Sequence, residues 1–166
     1  MVGIGTLNEL INAVMKFDKK PQIGFIPLGT MNDFARTIKL STKKTFLAKN
    51  IDEGTIIPSD IGTFNNSYFN YVAAFGAFTE VSYATPQELK NMLGHQAYII
   101  EGMRSLTDLK PQYLRIRAGD RELEGNFLYG MVSNTRSVGG VKGLAGKNVD
   151  LCDGLFEVTL LRQINN

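Results

Sequence analysis

The segment from residue 28 to residue 33, Leu-Gly-Thr-Met-Asn-Asp, combines residue types that suit a phosphate-binding turn. It follows the apolar run 23–26 and precedes a helical pattern in which apolar side chains share one face. Free N–H groups at a helix N-terminus carry partial positive charge, and a glycine lets the backbone approach a ligand closely. Asp33 does not suit direct contact with phosphate, but it suits the water shell of a metal beside phosphates. An ordinary cap formed by Asn32 and Asp33 gives the same local pattern, so both interpretations stay open.

A second glycine turn lies near the start of the chain. Gly5 precedes a helix-like run, and Thr6 with Glu9 three residues later has the spacing of a capping box. A glycine turn that leads into a capped helix is a reasonable phosphate cradle, although an ordinary helix start has the same pattern. The candidate phosphate or nucleotide contacts in the two turns are Gly5, Thr6, Gly29, Thr30 and Asn32.

A third glycine-containing loop lies near the C-terminus and has the composition of a cation site. Asp150 and Asp153 are three residues apart, and Leu155 follows them. Carboxylates and main-chain carbonyls are the ligands that hard cations prefer. The sequence therefore offers Asp150, Asp153 and Leu155 as candidate metal ligands. An Asp-Gly hairpin turn is the competing interpretation.

Several motifs resemble those of the diacylglycerol kinase catalytic domain family and its bacterial lipid kinases, and they follow one another along the chain in the same order as in that family. Residues 27–36, PLGTMNDFAR, match the signature P-x-G-T-x-N-D-F-A-R, which is the most specific of them. The other matching segments are 5–9 (end of G-G-D-G-T-x-N-E), 60–62 and 70–76 (D-x-G and N-x-x-S/A-x-G), 137–140 (S-x-G-G) and 153–155 (D-G-x). The resemblance covers nearly the whole chain.

The resemblance implies an α+β fold in two domains. Residues 1–58 would be the remnant of an α/β nucleotide-binding domain, and residues 59–166 would form an antiparallel, β-sandwich-like domain with one long helix. It also implies ATP and Mg²⁺ as cofactors, with Asp33 and Asp60 as catalytic residues at the cleft. In some bacterial members, a structural magnesium lies near the turn that Asp153 to Leu155 match.

The implied activity is transfer of a phosphoryl group from ATP to diacylglycerol or a similar lipid hydroxyl, as in phospholipid synthesis. Two departures lead us to expect little or no activity from this chain alone. Ile4 stands where the family motif has an aspartate, and the sequence ends before the family's expected C-terminal base, as in a truncated member. The alternatives are a catalytically silent binding or structural fragment, or a kinase that acts on a sphingoid base or a nicotinamide dinucleotide.

Composition narrows the classes of partner. A net charge of +2 gives no argument for nucleic acid, and Cys152 as the single cysteine excludes an intramolecular disulfide. With one histidine, His95, and no evident nucleophile, a hydrolytic triad is poorly supported. No apolar run approaches the length of a membrane span. We expect a cytoplasmic protein that meets its lipid peripherally at the inner membrane face, with a homodimer left open.

The periodicity predicts the elements that position these residues. Short strands are expected at 23–26 and 55–57, and a strand–turn–strand at 61–74 around Asn65-Asn66. Residues 75–78 are expected to turn into a short helix. The longest helical pattern runs from 86 to 106, and alternating patterns predict strands at 113–118, 123–133 and 155–161.

Overall fold

The computed structural model describes residues 4–29, 32–43, 49, 53–76, 110–142, 146 and 148–163. Two helices lie within these ranges, α1 (Ile4–Val14) and α2 (Asp33–Thr37). The strands are β1 (Gly62–Phe64), β2 (Ser67–Phe69), β3 (Val72–Gly76), β4 (Gln112–Ala118), β5 (Arg121–Ser133), β6 (Ser137–Val138), β7 (Val141–Lys142) and β8 (Glu157–Arg162).

The fold is α+β, as the sequence predicts. β1 pairs with β2, and β6 pairs with β7, each as a short antiparallel hairpin. The long strand β5 pairs with β3, β4 and β8 in a four-stranded sheet. Sequence-adjacent strands such as β4 and β5 run antiparallel, as short connections allow.

The hairpin of β1 and β2 confirms the prediction around Asn65-Asn66. Gly62 lies opposite Phe69, and Phe64 lies opposite Ser67. Asn65 adopts the left-handed conformation, with φ 53°, which asparagine tolerates better than most residues do. The aromatic ring of Phe69 occupies the space where a side chain at position 62 would begin, so any larger residue there would have to displace that ring.

The predicted strands at 113–118, 123–133 and 155–161 are confirmed as β4, β5 and β8, with small shifts in their ends. β5 changes character along its length. Its first residues are exposed, whereas Phe127, Tyr129 and Met131 are buried. The buried half continues directly into a polar segment at residues 133–137, which is the segment that matters for the candidate site.

The chain divides into two compact units, and each unit combines two stretches that are separate in the sequence. The first contains Met1–Ala73 and Ser133–Glu157, and the second contains Ala74–Val132 and Val158–Asn166. The domain boundary near residue 58 stays a prediction, since it follows composition and motif order, while these units reflect contacts in space.

In the first unit, α1 packs against β2 through one apolar face. Leu7, Ile11 and Val14 recur at helical spacing and are buried. Asn12 adds a paired hydrogen bond to the backbone of β2. Its Nδ2 donates to the Tyr68 carbonyl at 2.7 Å, and its Oδ1 accepts from the Tyr68 N–H at 2.8 Å.

Several local predictions were wrong. Residues 23–26 and 55–57 lie outside the described strands, and only Pro27 forms a single bridge. A strand needs a partner along its length, which an apolar run cannot specify by itself. Phe75 and Gly76 belong to β3 rather than to a turn, and Thr6 lies inside α1 rather than at its cap. The predicted helix at 86–106 lies outside the described residues.

Candidate active site

Asp33 is the first residue of α2, and its side chain is buried, with 2% of its surface exposed. Asn32 occupies the N-cap position with φ 51°, and its side chain makes no capping hydrogen bond. As at any N-cap, the first helical bond runs from the Arg36 N–H to the Asn32 carbonyl, at 3.0 Å. The Asp33 carboxylate accepts hydrogen bonds from residues outside α2, so it does not act as a helix cap.

The Asp33 carboxylate binds the glycine-rich turn at residues 137–140. Its Oδ1 accepts the Ser137 hydroxyl at 2.6 Å, and the Gly140 N–H lies 3.1 Å from both of its oxygens. Its Oδ2 accepts the Tyr71 hydroxyl at 3.1 Å, and the Gly139 N–H in turn donates to that hydroxyl oxygen at 3.3 Å. Two sequence motifs 104 residues apart thus meet at one buried carboxylate.

The turn can donate in this way because Gly139 and Gly140 have φ values of 57° and 80°. Residues with side chains rarely adopt this conformation. The positive φ values direct consecutive N–H groups of the turn toward Tyr71 and Asp33.

A layer of buried polar residues extends from Asp33 along α2 and the segment after β5. The Thr37 hydroxyl lies 2.9 Å from the Asp33 carbonyl and 2.8 Å from the Thr135 hydroxyl. The buried polar residues described are Asp33, Thr37, Asn70, Ser133, Asn134, Thr135 and Ser137. Sequence reasoning missed most of this layer, although the run Ser-Asn-Thr directly after an apolar strand was a usable signal.

Asp60 is tied to the loop at 150–155. Its N–H donates to the Leu151 carbonyl at 2.7 Å, and its Oδ2 accepts the Gly154 N–H at 2.7 Å. The D-x-G and D-G-x motifs therefore also meet in space. Asp60 Oδ1 has no hydrogen bond to any described residue.

The loop at 150–155 has oxygen atoms that suit a hard cation, but its own hydrogen bonds also hold the turn together without a metal. Asp150 Oδ1 accepts the Cys152 N–H at 3.1 Å, and Asp153 Oδ1 accepts the Leu155 N–H at 2.9 Å. Each aspartate keeps its Oδ2 free of hydrogen bonds to described residues. No three acidic, histidine or cysteine side chains converge there, in the part of the chain that the structure describes. A cation would therefore need carbonyl and water ligands in addition.

Cys152 lies in the same loop and is exposed. Desolvation and the neighbouring Asp150 carboxylate both raise the pKa of its thiol above 9.0. A thiol with a raised pKa is a poor nucleophile and a poor metal ligand at neutral pH. Cys152 therefore carries none of the candidate chemistry of this loop.

The remaining candidates are more scattered. Gly5 and Thr6 lie in the first turn of α1 and are exposed, Gly29 is half-buried, and Thr30 lies outside the described residues. Among the described residues, no hydrogen bond joins Gly5 or Thr6 to the turn at 29–33.

A cavity of about 250 Å³ in the first unit is lined by Thr37, Lys39, Ile57, Arg136 and residues 149–152, but not by Asp33 or Asp60.

None of the described helices is long and apolar enough to cross a membrane.

Residues 2–64 match the family model of the diacylglycerol kinase catalytic domain. A diacylglycerol kinase from Bacillus subtilis (strain 168) is 37% identical over 164 residues, which are 98% of this chain and 54% of that protein. A diacylglycerol kinase from Staphylococcus saprophyticus is also 37% identical, over 98% of this chain and 53% of its own length. The chain thus spans about half the length of these curated relatives.

Solved structures show the same likeness. The crystal structure of a diacylglycerol kinase from Bacillus anthracis str. Sterne matches with a TM-score of 0.75 and 26% identity, over 96% of this chain and 52% of the other. A second structure of a protein from that strain reaches a TM-score of 0.80 at 27% identity, over 96% of this chain and 53% of the other. The ordered motifs, the fold and these relatives agree, and the chain belongs to the diacylglycerol kinase catalytic domain family.

Proposed function

We propose that this chain is part of a lipid kinase, which transfers the γ-phosphoryl group of ATP to the hydroxyl of diacylglycerol or a similar lipid. Family membership and the names of the relatives support phosphoryl transfer to a lipid. ATP, Mg²⁺ and the lipid itself are part of the proposal.

One observation carries it: the acidic residues of two family motifs each bind the glycine turn of another motif. Asp33 accepts hydrogen bonds from Ser137 and Gly140, and Asp60 accepts one from Gly154. Phosphoryl transfer depends mostly on positioning and on neutralising charge. Fixed carboxylates beside glycine turns can provide the positioning.

We assign the catalytic roles to Asp33 and Asp60, in different ways. Both Asp33 oxygens already accept protein hydrogen bonds, so Asp33 would act by holding the 137–140 turn in place. Asp60 is less buried and keeps Oδ1 available, so it would face the nucleotide side.

The binding roles are proposed for the predicted residues. The phosphate and nucleotide contacts would be Gly5, Thr6, Gly29, Thr30 and Asn32. When bound, Mg²⁺ would neutralise phosphate charge, and Asp150, Asp153 and the Leu155 carbonyl would hold a second, structural cation.

A catalytically silent fragment is the second candidate, and Ile4 favours it. An isoleucine cannot coordinate a metal or organise water where the family motif has an aspartate. We therefore propose little or no turnover by this chain alone, with nucleotide binding retained. A sphingoid base in place of diacylglycerol is the alternative acceptor.

Thermal unfolding with ATP plus Mg²⁺, with ATP plus a chelator and with Mg²⁺ alone tests the binding half of the proposal. A ligand that binds only the native state adds about 2.7 kcal/mol of stability at 100 times its Kd. We expect a shift with ATP plus Mg²⁺ that is lost in Asp60→Asn and kept in Asp120→Asn, since Asp120 is an exposed turn residue. No shift with any ligand would overturn nucleotide binding by this chain.

Transfer of label from γ-labelled ATP to detergent-dispersed diacylglycerol, with sphingosine in a parallel assay, tests the chemistry. Label in diacylglycerol only, even at a low rate, supports the proposed acceptor. Label in sphingosine only identifies the other acceptor. Nucleotide binding without label in either lipid supports the silent fragment.

A further inference from the structure

Asn134 directly follows β5 and is completely buried. A buried carboxamide is costly unless it is hydrogen-bonded, and Asn134 Oδ1 has no partner among the described residues. The partners of its Nδ2 donor therefore indicate why an amide stands at this position.

Asn134 joins three separate segments of the first unit. Its Nδ2 donates to the Asp60 carbonyl at 3.2 Å and to the Leu151 carbonyl at 3.1 Å. Its main-chain N–H donates to the Tyr71 carbonyl at 3.0 Å. The two side-chain bonds fix the orientation of the amide, because a flipped group would place Oδ1 against two carbonyl oxygens.

The same two segments also meet at the Asp60 side chain. The Asp60 N–H donates to Leu151, and Asp60 Oδ2 accepts from Gly154. The direction of the Asp60 carboxylate therefore depends on how its backbone sits against residues 151–154. Asn134 is the buried group that donates to both of those backbone segments.

We propose that Asn134 is a positioning residue that orients the Asp60 carboxylate by fastening its main chain to the 150–154 loop. This inference rests on the function proposed for Asp60. Neither a shortened side chain nor a carboxylate at position 134 can donate to both carbonyls, so either change would leave Asp60 and the loop free to separate.

Asn70 provides a matched control. It is also an asparagine, it is 1% exposed, and it precedes the Tyr71 that Asn134 contacts. Neither Asn70 Nδ2 nor Asn70 Oδ1 has a hydrogen-bond partner among the residues that the structure describes. Asn70→Ser thus makes a similar small cavity without removing a link to Asp60.

Hydrogen exchange of backbone amides in the 166-residue chain, followed by NMR, tests the link directly. In Asn134→Ser we expect the Asp60 and Gly154 N–H groups to exchange about tenfold faster, since lost hydrogen bonds of about 1.4 kcal/mol correspond to that factor. The Arg36 N–H of α2 is the internal reference. Asn70→Ser should leave the Asp60 and Gly154 rates unchanged. Equal rates in Asn134→Ser and wild type would overturn the proposal.

The second measurement is the ATP-induced thermal shift with Mg²⁺, taken against each variant's own ligand-free midpoint, so that a general loss of stability cancels. We expect Asn134→Ser to lose the shift and Asn70→Ser to keep it. If wild type shows no shift, the nucleotide function fails, while the exchange data still decide whether Asn134 orients Asp60. A full shift in Asn134→Ser would overturn the link between Asn134 and the site. If Asn134→Ser does not fold, Asn134→Thr is used with the same two measurements, since it keeps more of the side-chain volume and its hydroxyl can donate to only one of the two carbonyls.

Discussion

At the scale of single residues, the burial of Asp33 sets the character of the site. A carboxylate with 2% of its surface exposed is stable only when hydrogen bonds replace its water. Here a serine hydroxyl, a tyrosine hydroxyl and a glycine N–H do so. The residue thus holds together segments from three parts of the chain.

The substitution Asp33→Asn tests this structural role of the carboxylate through its effect on the free energy of unfolding. The amide keeps the shape but has one acceptor oxygen, and its NH₂ would face donors that now bind an oxygen. Hydrogen bonds to charged groups contribute about 1.5–3 kcal/mol. We expect a loss on the order of 3 kcal/mol in the free energy of unfolding, measured by urea titration. Asp120→Asn is the exposed control, and a loss below about 0.5 kcal/mol for Asp33→Asn, which is the usual range for surface changes, would contradict this account.

Gly5→Ala separates a phosphate contact from an ordinary helix start. Gly5 is exposed in the first turn of α1, and nothing lies within 4 Å of an added Cβ. Alanine should therefore raise the stability of the ligand-free chain by roughly 0.5–1 kcal/mol. If the Gly5 backbone approaches a phosphate, the same change should reduce the thermal shift with ATP and Mg²⁺.

The reverse change at the exposed Ala13 of the same helix is the control. Ala13→Gly should lower stability by a similar amount and leave the shift with ATP unchanged. An undiminished shift in Gly5→Ala would favour the ordinary helix start.

The single residues also show where sequence reasoning reaches its limit. Asp33 and Asp60 could be singled out because family motifs and glycine turns mark them. Asn134 and Thr135 could not, because their role depends on partners 74 and 98 residues away. The sequence shows that polar residues interrupt an apolar strand pattern, but it does not show what those residues meet.

At the scale of elements, α2 is a five-residue helix that ends at the C-cap Ile38 and is followed by a left-handed residue, Lys39. The Leu40 N–H donates to the Ala35 carbonyl at 2.8 Å, and the Lys39 N–H donates to Arg36 at 3.1 Å, which together form a Schellman motif. Lys39 occupies the left-handed position with φ 56°, where glycine is usual.

We expect Lys39→Gly to raise the free energy of unfolding by about 1 kcal/mol, because a residue with a Cβ is strained in this conformation. Lys39→Ala removes the same charge but keeps the Cβ, and it should give no such gain. Thermal unfolding of both variants at one pH is sufficient. A loss of stability in Lys39→Gly would show that the lysine side chain contributes more than the strain costs.

The hairpin of β4 and β5 gives a prediction of pH dependence. The Tyr113 hydroxyl donates to Glu124 Oε1 at 2.5 Å on an exposed face. This hydrogen bond, together with desolvation and the nearby negative charge, raises the pKa of Tyr113 above 10.0. The bond needs the protonated phenol, so its contribution to stability is present below pH 10 and is lost as the pH rises through the folded pKa.

Tyr113→Phe should therefore be less stable than wild type at neutral pH and equal to it once the phenol has ionised. An NMR titration of the Tyr113 ring checks the cause: Glu124→Gln should lower its pKa toward 10, while Glu122→Gln should not. Glu122 is suitable as a control because it pairs with Arg115 and Arg117 instead. An unchanged Tyr113 titration in Glu124→Gln would contradict the assignment.

Elements closed by a local turn could be predicted, and elements that need a distant partner could not. The β1–β2 and β4–β5 hairpins follow from Asn65-Asn66 and Gly119-Asp120, which lie between two strands that meet at once. The run at 23–26 is as apolar as those strands, but it forms no strand, and the Phe25 ring packs edge-on against Phe34 with 5.5 Å between the ring centroids. Composition alone cannot distinguish an apolar run that pairs as a strand from one that packs only through its side chains.

At the scale of the whole molecule, the first unit is built from two stretches that are distant in sequence. The family match covers residues 2–64, whereas Asp33 and Asp60 also bind residues between 134 and 154. The second stretch, Ser133–Glu157, supplies four of the seven described buried polar residues. The segment that carries the most recognisable motif is therefore incomplete as a folding unit.

A fragment of residues 1–73 should consequently lack a cooperative thermal transition by far-ultraviolet circular dichroism, while the 166-residue chain shows one. Without residues 133–157, Asp33 loses its Ser137 and Gly140 donors, and the backbone of Asp60 loses Leu151 and Asn134. Those groups would be left buried without partners or exposed to water, and small domains rarely tolerate such losses. Ser137→Ala in the intact chain is the milder companion, because it removes one donor and keeps both stretches. A cooperative transition in the 1–73 fragment, with ATP-dependent stabilisation, would show that the motif-bearing segment folds and binds without its distant partners.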